Sequence, residues 1–237
     1  MKQSSFTCHM KWISPLFLFI LFSISVTAQN IDSAAAHYKP LRFTDKQLYL
    51  PASLIFVGLL ANSNGSGSIK NGIVKERNER MPHFRTHIDD YLQYTPLAIA
   101  YGLDAIGIKS RTDFANRTAI MIKGELIMVG TVCLIKNRVN QRRPDGVGYD
   151  AFPSGHTANA FAAATFLAEE YKYKFKWMPY AAYGMATTVG VLRMANNRHY
   201  ISDVLVGAGI GYLSMKVSYW THHYRWGKNA AGLKVIN

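Results

Sequence analysis

The stretch PSGHTANAFAAATFLAEEY, residues 153–171, decides how this chain is read. Pro153-Ser154-Gly155 opens a helix: serine is a favoured cap, glycine lets a ligand approach the backbone, and the N–H groups of such a terminus bind anions. His156 falls in the first turn, beside any anion held there, and the Ala-rich run to Tyr171 continues the helix. Further apolar segments lie on both sides. Before it come Leu48–Ala61 with Pro51 near its start, Tyr91–Ile108 interrupted by Pro96 and Asp104, and Asn116–Ile135 carrying Lys123 and Glu125. After it come Trp177–Leu192 and Ser202–Tyr219, the latter with Gly-Ala-Gly-Ile-Gly at 207–211, small residues that let helices approach closely. Residues 62–68 read as a turn, 70–85 as a charged solvated segment, and 141–153 as a loop. No alternating strand pattern and no internal repeat occurs, so the expected fold is all-α, a compact bundle of about six core helices.

Composition narrows the function classes. The 237 residues include 27 Lys+Arg against 14 Asp+Glu, a formal charge of +13, yet only 17% are charged and 49% are hydrophobic. That hydrophobicity excludes a disordered chain, 18 Gly and 8 Pro exclude a collagenous one, and two cysteines exclude a disulfide scaffold. A basic excess on so few charges points to an anionic partner or surface. Lys2 and Lys11, the apolar run Trp12–Val26 and the small residues Val26-Thr27-Ala28 read as a secretory signal over residues 1–28. Its removal would take two positive charges and Cys8, leaving Cys133 as a lone thiol. Residues 29–89 then form an N-terminal segment with the first core helix and a polar connector, 90–220 the catalytic core, and 221–237 a basic tail. No mature segment offers an uninterrupted apolar stretch of about 18 residues, the membrane-spanning test.

Three short segments carry chemistry. Lys136 ends a helix and Arg143 lies in the loop after it, so both can point positive charge into one cleft. A guanidinium matches two phosphate oxygens at once, and lysine adds a compact charge. Ser154, Gly155 and His156 form the anion-ready helix start. Arg193 offers a third cation six residues before His199, and Asp203 follows His199 by four, a spacing that puts both on one helix face. A carboxylate on one imidazole nitrogen fixes the tautomer and leaves the other as a nucleophile. Arg138, Arg142 and Arg198 lie beside the same segments and raise the local potential.

The set resembles the type 2 phosphatidic acid phosphatase (PAP2) superfamily, which includes bacterial non-specific acid phosphatases and vanadium haloperoxidases. Its pattern is Lys-x6-Arg-Pro, Pro-Ser-Gly-His, then Ser-Arg-x5-His-x3-Asp. Lys136 to Arg143-Pro144, residues 153–156, and Arg193, His199 and Asp203 match it over about residues 90–215. Leu192 departs from it, standing where the family has serine. The resemblance implies a phosphatase in which His199 attacks phosphorus, Asp203 orients His199, and His156 serves the leaving oxygen and then water. Lys136, Arg143, Ser154, Gly155 and Arg193 would hold the phosphate, with no metal and no cofactor. His83 and His87, four apart beside Asp89 and Asp90, form a metal-like spacing that this chemistry does not use.

Expected substrates are lipid phosphates at a membrane surface, with small soluble phosphate esters, as for a soluble periplasmic acid phosphatase, as the alternative. Vanadate-dependent halide oxidation is a weaker one. The signal places the site on the periplasmic side. Trp177, Tyr180, Trp220, Tyr224 and Trp226 suit a membrane interface. No nucleic-acid module accompanies the basic charge, so nucleic acid is not an expected partner.

Overall fold

The computed structural model describes residues 41, 43–65 and 67–223, so the signal at 1–28 and the tail beyond 223 lie outside the described residues. Eight helices follow one another: α1 (Lys46–Leu60), α2 (Ile69–Arg80), α3 (Ile88–Leu92), α4 (Thr95–Ala105), α5 (Phe114–Val139), α6 (Gly155–Tyr171), α7 (Met178–Ala195) and α8 (Ile201–Trp220). No strand occurs among the described residues. The six expected core helices correspond to α1 and α4–α8. The other two revise the sequence reading. The charged segment 70–85 is helical as far as Arg80, its i, i+4 pairs Lys75–Glu79 and Arg80–Glu76 supporting a helix with little apolar character. The segment Tyr91–Ile108 is divided between α3 and α4, and Pro96, which lacks an N–H, takes the favoured place in the first turn of α4.

Helix ends follow local chemistry. Asp113 caps α5 by accepting the N–H of Asn116 at 3.1 Å, and α5 stops where Asn140 turns left-handed at φ 46°. Ser154 caps α6 through the N–H of Thr157. Asp203, in the first turn of α8, accepts the N–H of Tyr200 at 2.8 Å.

α6 and α8 form the centre. α8 packs on α6, α1 and α5, and α6 also packs on α7 and α4. Two glycines of the 207–211 run set the α6–α8 spacing. A Cβ on Gly207 would stand 2.5 Å from the Ser154 carbonyl oxygen, and one on Gly211 would overlap the Ala158 carbonyl. Close approach of α8 to the start of α6 therefore requires glycine there. Met128, Val132, Phe152, Ala158, Val206 and Ile210 form a buried apolar cluster directly beneath that junction.

The membrane test gives a different result from the sequence reading. α5, 26 residues long, is long and apolar enough to cross a membrane. Glu125 does not interrupt its exposed side, because it is buried against the bundle. Ile122, Leu126, Val129 and Leu134 form the exposed face. α1 likewise exposes Tyr49, Phe56, Leu59 and Leu60.

Candidate active site

The junction of α5, α6, α7 and α8 brings the three segments together. His199 lies just before α8 and is 2% exposed. Its Nδ1 is 2.7 Å from the carbonyl oxygen of Ala151 and 3.5 Å from Asp203 Oδ2. A carbonyl oxygen only accepts, so Nδ1 carries the hydrogen and Nε2 keeps its lone pair. Burial, followed by the positive charges of Arg193, Lys136 and Arg143, holds the His199 imidazole well below its usual range. It is a neutral imidazole held among cations.

The tautomer is fixed chiefly by Ala151, with Asp203 at a longer reach than the sequence spacing suggested. Asp203 has several partners. It accepts from Tyr200 N at 2.8 Å, Ser202 Oγ at 3.1 Å and Gln141 Nε2 at 3.2 Å. Burial nevertheless pushes its carboxyl up to about 7.

Each predicted cation is present, and each is met by an acceptor that sequence reasoning missed. Arg143 places its fork on Asp150, Nε to Oδ1 and Nη2 to Oδ2, both at 2.7 Å. Lys136 donates to the backbone oxygen of the same Asp150. Arg193, at the end of α7, donates through Nη1 to Asp89 Oδ2 at 2.6 Å, while its buried Nε has no hydrogen-bond partner among the described residues. Asp89 is wholly buried and also accepts from Asn196 Nδ2 at 2.9 Å. Arg198, read as raising the local potential, is paired with Asp145 at 3.1 Å, and Arg142 reaches the Gly146 carbonyl at 3.4 Å.

Ser154 and Gly155 are at the site, but Ser154 is used internally. Its hydroxyl lies 2.9 Å from Thr157 Oγ1, and its N–H donates to the Asp203 carbonyl at 3.0 Å. Its contribution is to cap and fix the terminus. His156 is 3% exposed, and its Nε2 lies 2.8 Å from Asp90 Oδ1. Leu192 is half-buried in α7; nothing in the structure explains the departure from serine there.

The acidic pair Asp89-Asp90 thus meets Arg193 and His156, and of the two histidines beside it in sequence His87 reaches Asp90 at 3.2 Å. Ligand atoms of Asp89, Asp90 and His156 do gather within 4.8 Å, and neither His83 nor His87 joins them. Both oxygens of Asp89 already receive cationic or amide donors, so the residue works as a charge partner. Two adjacent aspartates before an apolar helix carry no signal of this role. Asp90 and His156 are 66 positions apart, and Asp89 and Arg193 are 104 apart.

Residues 52–227 match the PAP2 superfamily. A lipid A 1-phosphatase of Porphyromonas gingivalis is 34% identical over 185 residues, which cover 78% of this chain and 40% of that protein. The chain therefore spans less than half the length of that relative. Two solved structures are similar at lower identity. Aquifex aeolicus LpxE shares 21% identity over 61% of this chain and 93% of its own, with a TM-score of 0.47. A transmembrane PAP2-type phosphatidylglycerolphosphate phosphatase from Bacillus subtilis shares 22% over 72% and 94%, with a TM-score of 0.45. With the three motifs gathered at one helix junction and the match covering most of the sequence, the chain belongs to the PAP2 superfamily.

Proposed function

We propose that this chain is a metal-independent phosphatase that hydrolyses phosphate monoesters of membrane lipids through a phosphohistidine. The observation that carries the reading is the state of His199: a buried neutral imidazole, hydrogen directed to Ala151, lone pair on Nε2, surrounded by Arg193, Lys136 and Arg143. Such an environment stabilises the charge of a transferring phosphoryl group without reorganisation.

In the first step His199 Nε2 bonds to phosphorus as the ester oxygen leaves with its electron pair and takes a proton from His156. In the second, water bonds to phosphorus, its proton passes to His156, and the N–P bond breaks. The three cations hold the non-bridging oxygens, Arg143 exchanging Asp150 for phosphate.

The lipid substrate is supported by the apolar faces of α1 and α5, by the length of α5, and by the named activity of the relative, which makes a lipid A phosphate the first substrate to try. The signal sequence supports a site on the periplasmic side. The test is a panel in detergent: lipid A, phosphatidic acid, phosphatidylglycerol phosphate, a polyprenyl diphosphate and p-nitrophenyl phosphate. A lipid monoester should exceed the soluble ester in kcat/KM by at least about tenfold, and acid-labile, base-stable phosphate should appear on the protein during turnover. Preference for the soluble ester would favour an acid phosphatase instead. Bromide oxidation with vanadate and peroxide would overturn the phosphatase reading.

A further inference from the structure

We infer that Asp90 is a positioning residue that holds the proton on His156 Nε2 for delivery to the leaving oxygen. The inference rests on the proposed phosphatase chemistry and concerns a residue outside the three motifs.

His156 is buried at the start of α6, with Arg193, Arg143, Lys136 and Arg198 acting on it from α7, α5 and the loops. Burial and those cations, Arg193 foremost, hold its imidazole well below the usual range in the free enzyme. An imidazole in that state is a poor acid: it carries no surplus proton to give. Asp90 supplies the opposing influence. Its Oδ1 stands 2.8 Å from His156 Nε2 and 3.7 Å from Arg193 Nη1. An ionised carboxylate only accepts, so the hydrogen faces it from Nε2.

Asp90 does not drift into this position. Its neighbour Asp89 is clamped by Arg193 and Asn196, and Asn196 holds Thr86 on both sides, donating to Thr86 O and accepting from Thr86 N at 2.9 Å each. Gln93 donates to the Asp90 carbonyl at 2.9 Å. The short helix α3 is thus pinned to the end of α7, and Asp90 is presented from it at the cleft's rim, 43% exposed, with His87 Nδ1 on its other oxygen at 3.2 Å.

When a phosphate dianion neutralises the cations, the force opposing the proton weakens and the carboxylate remains. The proton then sits on Nε2 beside both the carboxylate and the incoming ester oxygen. As the P–O bond breaks, the electron pair and this proton end on the ester oxygen, leaving neutral His156. Attack by water returns the proton to Nε2, beside Asp90 again.

Leaving-group dependence tests this. p-Nitrophenolate departs without a proton, whereas an alkoxide needs one, and kcat/KM reports the step in which the ester bond breaks. Wild type, His156→Ala, Asp90→Asn and Asp90→Glu would be assayed on p-nitrophenyl phosphate and on a short-chain phosphatidic acid in detergent, across pH. Asp90→Asn should lose at least about tenfold more on the alkyl ester than on the aryl ester, with its alkyl activity falling off at lower pH than wild type. Asp90→Glu should recover part of the alkyl activity. Equal losses on both esters, with pH profiles unmoved, would reduce Asp90 to a structural anchor and overturn the inference. The His156→Ala arm separates the two readings. A leaving-group-selective loss there without one in Asp90→Asn overturns only the role of Asp90; a uniform loss there overturns the acid–base role of His156 and with it the inference. Thermal melting in detergent shows whether Asp90→Asn is folded, and if it is not, the Asp90→Glu profile decides in the same way.

Discussion

The two ends of α6 carry similar ionic chemistry to opposite effect. At its C-terminal end, Glu169 pairs with Lys216, with Lys172 at 2.6 Å and with Arg111 at 3.7 Å, while Glu170 accepts from Tyr219 Oη at 2.7 Å and Thr112 N at 2.8 Å. Nearby, Arg117 bonds Asp104 at 2.9 Å and Ser110 at 2.8 Å. Glu169, Glu170 and Lys216 are helical and buried, so nothing outside can exchange with them. At the N-terminal end the cations also have carboxylate partners; Asp89 on α3 is buried, but Asp90 on the same short helix and Asp150 in a connector are about half exposed. On the proposed function, a phosphate takes the place of Asp150. The two ends of one helix thus differ in how open their carboxylates are to exchange, and on the proposed function the open end is the catalytic one.

The largest effect that sharpens this contrast is at the nucleophile. His199→Ala should lower turnover on the order of 10⁴-fold or more and abolish trapped phosphoprotein, while leaving the melting temperature nearly unchanged. Wild-type-like activity in that variant would remove the catalytic assignment of this end. The converse holds at the far end. Lys216→Ala strands Glu169 and should cost about 3–5 kcal/mol of stability by denaturation, with kcat/KM of the folded fraction within a few fold. Replacing Glu169 and Lys216 together by Met should restore most of the loss; if it does not, the far end is more than an internal ion pair.

The junction between the ends comes next. Gly211→Ala forces a Cβ into the Ala158 carbonyl and should destabilise by about 1–3 kcal/mol. Gly207→Ala presses on Ser154 instead, so it should also lower activity, measured per folded molecule. A smaller effect concerns pH. His199 must be neutral to attack, and its affinity for a proton is held below the usual range. Attack therefore survives below pH 6.5 and is lost only as pH falls through that lowered value. The acid limb of kcat/KM, measured on p-nitrophenyl phosphate, should lie below pH 6.5. The smallest expected change is at the exchangeable partner. Asp150→Asn frees the Arg143 fork and should tighten inhibition by inorganic phosphate about two- to fivefold. Weaker inhibition would mean that Asp150 shapes Arg143 instead of competing for it.

Much of the fold was legible because helix signals are local. Pro96, the cap at Ser154 and the Ala-rich run to Tyr171 act within a turn or two of themselves, whereas Pro51 lies inside α1, which begins earlier, at Lys46. The glycines at 207 and 211 could be read as permitting close contact, though not which helix they would meet. The reading of α5 changes for a related reason. Glu125 and Lys123 look like interruptions in a linear count, but on a helix their effect depends on which face is packed, and Glu125 is on the packed one.

The sequence by itself determined the helical class and the family pattern, since spacing along one helix or loop is enough to mark out Lys136, Arg143, His156, Arg193, His199 and Asp203. Only the tertiary structure decided the partners of those groups. Ala151 fixes the His199 tautomer with a backbone oxygen, which has no residue identity to read. Asp89, Asp90 and Asp150 find their cations and His156 across connectors whose course depends on packing. Charge pairing at contact distance is a property of three-dimensional proximity, and a linear pattern records it only when the partners share a helix.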